Sequence, residues 1–186
     1  MTHFGEGEYD KTELAIKELL KEAGQTVNSS LESKADTTPH SRTSPETYLG
    51  SERMERFVSN ERAFGGDQTF TAPSSIQNSS FAFAGNWNVD REFATANQDA
   101  TLQFNFSAEH VYLVMHPRKA GDKVKVFIDN KPISAQQMGQ DVINGEVMLD
   151  TDRLYDLVDL KGKQEKHVLK LQFENDGVEC YAFTFG

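Results

Sequence analysis

The densest grouping of side chains able to hold a polar ligand is the run Gly85-Asn86-Trp87-Asn88-Val89-Asp90-Arg91-Glu92. An indole face stacks on the apolar face of a sugar ring, while amides, carboxylates and a guanidinium beside it bond to hydroxyls. Trp87 with Asn86, Asn88, Asp90, Arg91 and Glu92 therefore has the composition of a glycan-binding surface. Such a platform requires the Trp87 ring to be at least partly exposed. The competing reading is that Trp87, the single tryptophan, is a core residue between two sheets, the commoner fate of a lone Trp in an all-β domain. Tyr48, Arg53 and Arg56 come from a segment ahead of the strands. They are of the right types either to line the same end of the domain or to tether that segment.

Other chemistries are supplied less well. Asp90 and Glu92, two apart on an expected strand, share a face and are formally a carboxylate pair for glycoside hydrolysis, but carboxylates on an exposed strand face are usually just solvated. No GxSxG elbow is present. His3 and His40 lie in linker-like sequence, and His110, His116 and His167 stand at expected strand ends without HxH or HExxH spacing, so no metal site is predicted. Asp129-Asn130 reads as a hairpin turn rather than a calcium loop. Cys180 is the only cysteine, which leaves no CxxC pair and no disulfide within the chain, and its strongly apolar strand predicts a buried, inert thiol. These residues predict no catalytic centre and no cofactor.

With 19 basic against 29 acidic residues the chain carries a formal charge of −10. That argues against unspecific nucleic-acid binding, which needs Lys and Arg to neutralise phosphates, and disfavours attraction to an anionic membrane surface. No stretch approaches the ~20 consecutive apolar residues that span a bilayer, and no apolar signal-peptide core opens the chain. Neither membrane insertion nor self-export is expected of this chain.

The elements that must position the candidate residues are mainly strands. The spacing of Ile16, Leu19, Leu20 and Ala23, ended by Gly24, predicts one helix over 9–23; alone it would be marginal in water, so either it docks on the β domain or it was cut away from its partner. Residues 24–44 are rich in Ser, Thr, Asn and Asp and read as a flexible linker. From 45 to 186, strands are expected over 80–84, 87–94, 101–106, 111–115, 123–129, 146–149, 167–174 and 178–185. In 123–129, Val124, Val126 and Ile128 alternate with Lys123, Lys125 and Phe127, as a half-buried strand requires. The run 111–115 is apolar on both sides, as a central strand would be. The segment 64–73 reads as a turn, and 150–160 is ambiguous between strand and helical turn. Together these runs predict a mainly β fold, a two-sheet antiparallel jelly-roll-like sandwich with an N-terminal helix and linker.

Three passages, PETYLG at 45–50, RLYDLV through HVLKLQF at 153–173, and YAFTFG at 181–186, resemble the C-terminal region of the DipZ family. These are bacterial proteins associated with thiol:disulfide interchange and cytochrome c biogenesis. HFGEGEYDKTE at 3–13 is similar to the closing segment of the thioredoxin-like domain that precedes that region. The resemblance implies an extracytoplasmic protein, periplasmic or cell-envelope, in which a thioredoxin-like domain does the redox chemistry. Its last domain would be a sandwich similar to carbohydrate-binding modules. Residues 1–23 would then be a remnant of the thioredoxin-like domain, and 45–186 a non-catalytic accessory module for a glycan or a partner protein. The thioredoxin-like core and its CxxC are absent, so no redox residue carries over. The alternatives are a protein-docking domain with no sugar ligand and a hydrolase on a jelly-roll fold.

Overall fold

Residues 9–24 and 43–186 are described by the computed structural model. The chain divides into two compact units, 1–40 and 41–186. In the first, the helix α1 (Tyr9–Glu22) forms where the apolar spacing requires it, with a Glu13–Lys17 pair one turn apart. It ends at Gly24, whose left-handed φ of 75° suits a residue without Cβ. Most of the predicted linker, with His3 and His40, lies outside the described residues. Ser44, read as linker, instead belongs to the β unit: it is buried, its N–H donates to Ser107 O, and its hydroxyl accepts from Ser107 N–H. No helix among the described residues is long and apolar enough to cross a membrane.

The second unit consists of strands β1 (Thr47–Tyr48), β2 (Gly66–Phe70), β3 (Ser80–Val89), β4 (Ala94–Ala96), β5 (Thr101–Ala108), β6 (His110–His116) and β7 (Asp122–Ile128). These are followed by β8 (Lys131–Pro132), β9 (Val142–Ile143), β10 (Glu146–Leu149), β11 (Arg153–Asp159), β12 (Glu165–Phe173) and β13 (Val178–Phe185). One sheet runs β11-β6-β13-β4-β3-β2 with β1 also on β13; the other runs β3-β5-β12-β7-β10-β9 with β8 on β7. Every ladder is antiparallel, and the architecture is the jelly-roll-like sandwich the patterns predict.

Strand β3 belongs to both sheets. Its first half, up to Ala84, pairs with β5, and from Gly85 onward it pairs with β2 and β4. Gly85 makes the corner with φ 83°, and a Cβ there would stand 3.1 Å from Ala100 Cα, so the bend needs glycine. The inward residues of β3 supply the largest aromatic block of the core. Trp87 stacks on Phe83 with ring centres 4.2 Å apart, meets Phe173 edge-on at 5.4 Å, and donates its indole N–H to Ala84 O at 3.1 Å. Leu102, Phe104 and Phe106 of β5, Val124 and Val126 of β7, and Leu169 and Leu171 of β12 are buried by the same alternation. β6, expected to be central, lies between β11 and β13.

Three boundaries differ from expectation. The strand read over 87–94 is broken by a turn in which Asp90 N–H donates to Phe93 O, because β3 and β4 form a hairpin. The Gly-rich stretch at 66 is strand β2, held by its ladder to β3 despite poor intrinsic propensity. The ambiguous 150–160 stretch forms β11, with a bulge between Asp156 and Val158.

The leading segment is sewn into the first sheet. Thr47 and Tyr48 pair with Phe183 and Ala182, Leu49 N–H donates to Tyr181 O at 2.8 Å, and the Leu49 side chain is buried. Gly50 then crosses the β3–β4 turn so closely that a Cβ would stand 2.2 Å from the Glu92 carbonyl carbon. The contact is fixed by Ser51 N–H on Asp90 O and Glu52 N–H on Arg91 O, at 2.8 and 2.9 Å.

Two substitutions test this packing by urea unfolding. Trp87→Ala is expected to lower the unfolding free energy by about 3–5 kcal/mol, and a loss below about 1 kcal/mol would contradict a core role. Gly50→Ala is expected to cost about 1–3 kcal/mol, since backbone rather than a flexible side chain must yield. A variant within about 0.5 kcal/mol of the parent would show that the close approach is not a constraint.

Candidate functional site

The alternation of β3 separates the residues that a glycan platform would need together. Trp87 is wholly inaccessible and faces the core with Val89, which corrects the expectation of an exposed stacking ring. Asn86 and Asn88 point to the opposite face, where they bond across to Thr69 and Asp67 of β2 at 2.6 and 2.8 Å. Asp90 accepts Arg91 N–H at 2.6 Å with its carboxylate and Ser51 N–H with its carbonyl, and serves the turn. Since Asp90 and Glu92 sit on a turn rather than a strand, the shared strand face assumed for a carboxylate pair does not exist.

Four of the predicted site residues do converge. Tyr48, Arg53, Arg91 and Glu92 line a cleft of about 250 Å³, together with Gly50, Glu52, Tyr181 and Ala182. The leading segment forms one wall, the β3–β4 turn another, and β13 the floor. The Arg53 guanidinium lies over the Tyr48 ring, 3.3 Å from its centre. Arg91 bonds Glu52 at 2.6 Å, and this carboxylate holds the guanidinium above its ordinary pKa. Both side chains are largely in solvent, so the pair organises the cleft mouth more than it stabilises the fold. Tyr181 packs against Phe93 and donates its phenol to Glu179 at 2.6 Å. Burial first, and the Glu179 carboxylate second, push that phenol well above the usual range, so it stays a neutral donor. Arg56, grouped with Tyr48 and Arg53 in the sequence, lines the neighbouring groove with Glu46 and Glu55.

Sequence reading missed Gly50, Glu52, Tyr181 and Ala182. The signal was present in another form, since PETYLG and YAFTFG, far apart in the chain, carry the two strands that pair to make one wall and the floor. RLYDLV has a different task. Arg153 bonds Asp141 and Asp150 at 2.9 Å each and covers the Tyr155 ring, clamping β11 to the preceding loops. Asp150 is held down to about 2, mainly by Arg153 and then by the Tyr155 hydroxyl.

Among the described residues one mixed donor group converges, Glu109, His110 and Asp159, each offering an atom within 4.8 Å of the others. Gly162 N–H already occupies the Glu109 carboxylate, and the Lys161 ammonium occupies Asp159. Asp129 and Asn130 form the expected hairpin turn, both with left-handed φ. The Asp129 carboxylate is spent on Val168 N–H and on His167, at 2.9 and 2.7 Å. Cys180 is fully buried, and that burial raises its thiol pKa far above the ordinary value.

The chain is 34% identical, over 98% of its length, to Protein DipZ of Mycobacterium bovis and to that of Mycobacterium tuberculosis, and it spans 25% of each. Among solved structures, a family two carbohydrate esterase from Cellvibrio japonicus aligns with a TM-score of 0.46 and 14% identity, covering 56% of this chain and 30% of the esterase. Another such esterase, from Clostridium thermocellum in complex with cellohexaose, aligns with a TM-score of 0.41 and 16% identity, over 52% of this chain and 28% of its own. Residues 44–186, the stretch that begins at buried Ser44 and ends after β13, match the family described as thioredoxin-like C-terminal domain, and the chain belongs to that family.

Proposed function

We propose that this chain is a non-catalytic accessory binding module of a DipZ-like thiol:disulfide interchange protein acting outside the cytoplasm. It docks a partner polypeptide in the Tyr48–Tyr181 cleft, and the first candidate partner is the thioredoxin-like domain of its own family. The observation that carries this reading is the Arg53 guanidinium seated on the Tyr48 ring. It leaves a rigid, amphipathic surface of tyrosine and arginine, the types that anchor protein interfaces, and it covers the ring face a sugar would stack on. The lone, buried Cys180 supports a non-redox role, because a dithiol cycle needs two reachable sulfurs.

Glycan recognition is the second reading. It is favoured by two tyrosines, two guanidinia and the Glu92 carboxylate sharing one cleft, a mixture able to bond hydroxyls. A hydrolase on this fold is the weakest, since Asp90 serves a turn and Glu52, the other carboxylate lining the cleft with Glu92, is engaged by Arg91.

The test is a titration of the isotope-labelled chain, followed by NMR, with the thioredoxin-like domain of a mycobacterial DipZ and separately with oligosaccharides. Docking predicts shifts at residues 48–53, 91–92 and 181–182 with a dissociation constant on the order of 10–100 μM, weakened by Tyr48→Ala and Arg53→Ala. Shifts at those residues with an oligosaccharide but not with the domain would replace docking by the glycan reading. Silence with both would overturn the cleft as a binding site.

A further inference from the structure

His167 has a carboxylate at each of its two ring nitrogens. Nδ1 stands 2.7 Å from Asp129 Oδ2, in the turn between β7 and β8, and Nε2 stands 3.2 Å from Glu165 Oε2, two residues back on β12. The ring is mostly covered, with 18% exposure, whereas the Asp129 and Glu165 side chains are half in solvent. Asp129 is held independently of the ring. Its N–H donates to Val168 O and its Oδ1 accepts the Val168 N–H, both at 2.9 Å. Glu165 has no such anchor: it is the first residue of β12, at the end of the ladder, opposite Ala108.

An ionised carboxylate only accepts, so both contacts are hydrogen bonds at once only when both ring nitrogens carry a proton. Burial of the ring opposes that charge. The bonds to Asp129 and then Glu165, with the attraction of the two carboxylates, outweigh burial and raise the His167 pKa above its ordinary value. Burial also acts against an ionised Asp129, but the Val168 N–H and then His167 hold that carboxyl below its ordinary value. The other neighbours do not change this balance of charge. From β5 the facing side chain is the uncharged Phe106 ring, 6.1 Å away. Lys131 of β8 acts on the Asp129 carboxylate, and Lys166, opposite Ser107, is directed by alternation to the other face of β12.

We propose that His167 is a proton-operated latch on the start of β12, closed as imidazolium and opened by loss of one proton from Nε2. The neutral ring keeps a single N–H, and the shorter bond to the anchored Asp129 holds it at Nδ1. A bare Nε2 lone pair then faces the Glu165 carboxylate and repels it, so residues 165 and 166 leave their pairing with Ala108 and Ser107. Glu165 also borders a cleft of about 530 Å³ with Ser134, Gln137, Lys161 and Lys163, so opening delivers a free carboxylate to that cleft. Because the folded pKa lies above the unfolded one, the latch is fully closed below about pH 6.5 and opens as the pH rises through the folded value. The device is separate from the Tyr48 cleft and does not depend on its assignment.

The experiment is an NMR titration of the full chain from about pH 5 to 8.5, reading the ring nitrogens of His167 and the backbone carbon shifts of residues 165 and 166. A His167 midpoint above about 6.5 is expected, with the neutral ring protonated at Nδ1. The carbon shifts of residues 165 and 166 should move from strand towards coil values with the same midpoint, while those of Leu169 and Leu171 stay. Glu165→Gln and Asp129→Asn are each expected to lower the midpoint. The second keeps an oxygen for the Val168 N–H and tolerates the left-handed φ of 51°. A midpoint at or below about 6.5, or one that neither substitution moves, overturns the latch. So does a neutral ring protonated at Nε2. Carbon shifts at 165 and 166 that ignore the His167 midpoint overturn it as well, reducing the contact to a static ion pair.

Discussion

One strand has to serve two sheets, and most of the molecule is arranged around that requirement. β3 changes sheets at Gly85, so its inward side chains must fill the space where the layers diverge, and Phe81, Phe83 and Trp87 do so with no exposed surface. Burial of three large rings supplies much of the hydrophobic stabilisation in this region, and the indole N–H is satisfied locally by Ala84 O, so Trp87 needs no polar partner elsewhere. The same crossing determines where β3 ends. Its terminal turn at residues 90–93 is delivered to the edge of β13, where the leading segment meets it.

That meeting explains why two distant sequence passages resemble one family. PETYLG provides β1, the buried Leu49 and the one residue small enough to lie on the Glu92 backbone. YAFTFG provides the strand it pairs with. Neither passage is an active-site signature; together they form a floor and a wall, and the cleft follows from their pairing. The RLYDLV passage is a structural clamp, in which Arg153 is held between Asp141 and Asp150 and stays fully charged. Its carboxylate partners and the bulge after Asp156 let β11 follow the edge of β6.

The period-two patterns of β5 and β7 were legible because each strand has one strongly apolar side, and the hairpin at Asp129-Asn130 was legible from turn chemistry. β2 was not, since its residues Gly66, Asp67 and Gln68 have little strand preference and are held only by cross-strand bonds to β3. The candidate site was half legible. Asn86, Trp87 and Asn88 are consecutive, and on a strand consecutive residues cannot share a face, so the platform was excluded by the same alternation used to find the strands. Tyr48, Arg53, Arg91 and Glu92 were recognised by type. Their neighbours Gly50 and Tyr181 depend on a strand pairing between residues more than a hundred positions apart, which no local pattern carries.

The central claim is that the Tyr48 cleft, and not the outer face of β3, is the surface that meets a partner. The most direct measurement places a photo-crosslinking residue at Glu92, on the cleft rim, and in a control at Asp67, on the outer face of β3 and β2, in a mixture with the thioredoxin-like domain of a mycobacterial DipZ. The account predicts adducts to that domain from position 92 and none above background from position 67, with the yield at 92 suppressed by Arg53→Ala. Equal yields from both positions, or adducts from position 67 alone, would contradict it.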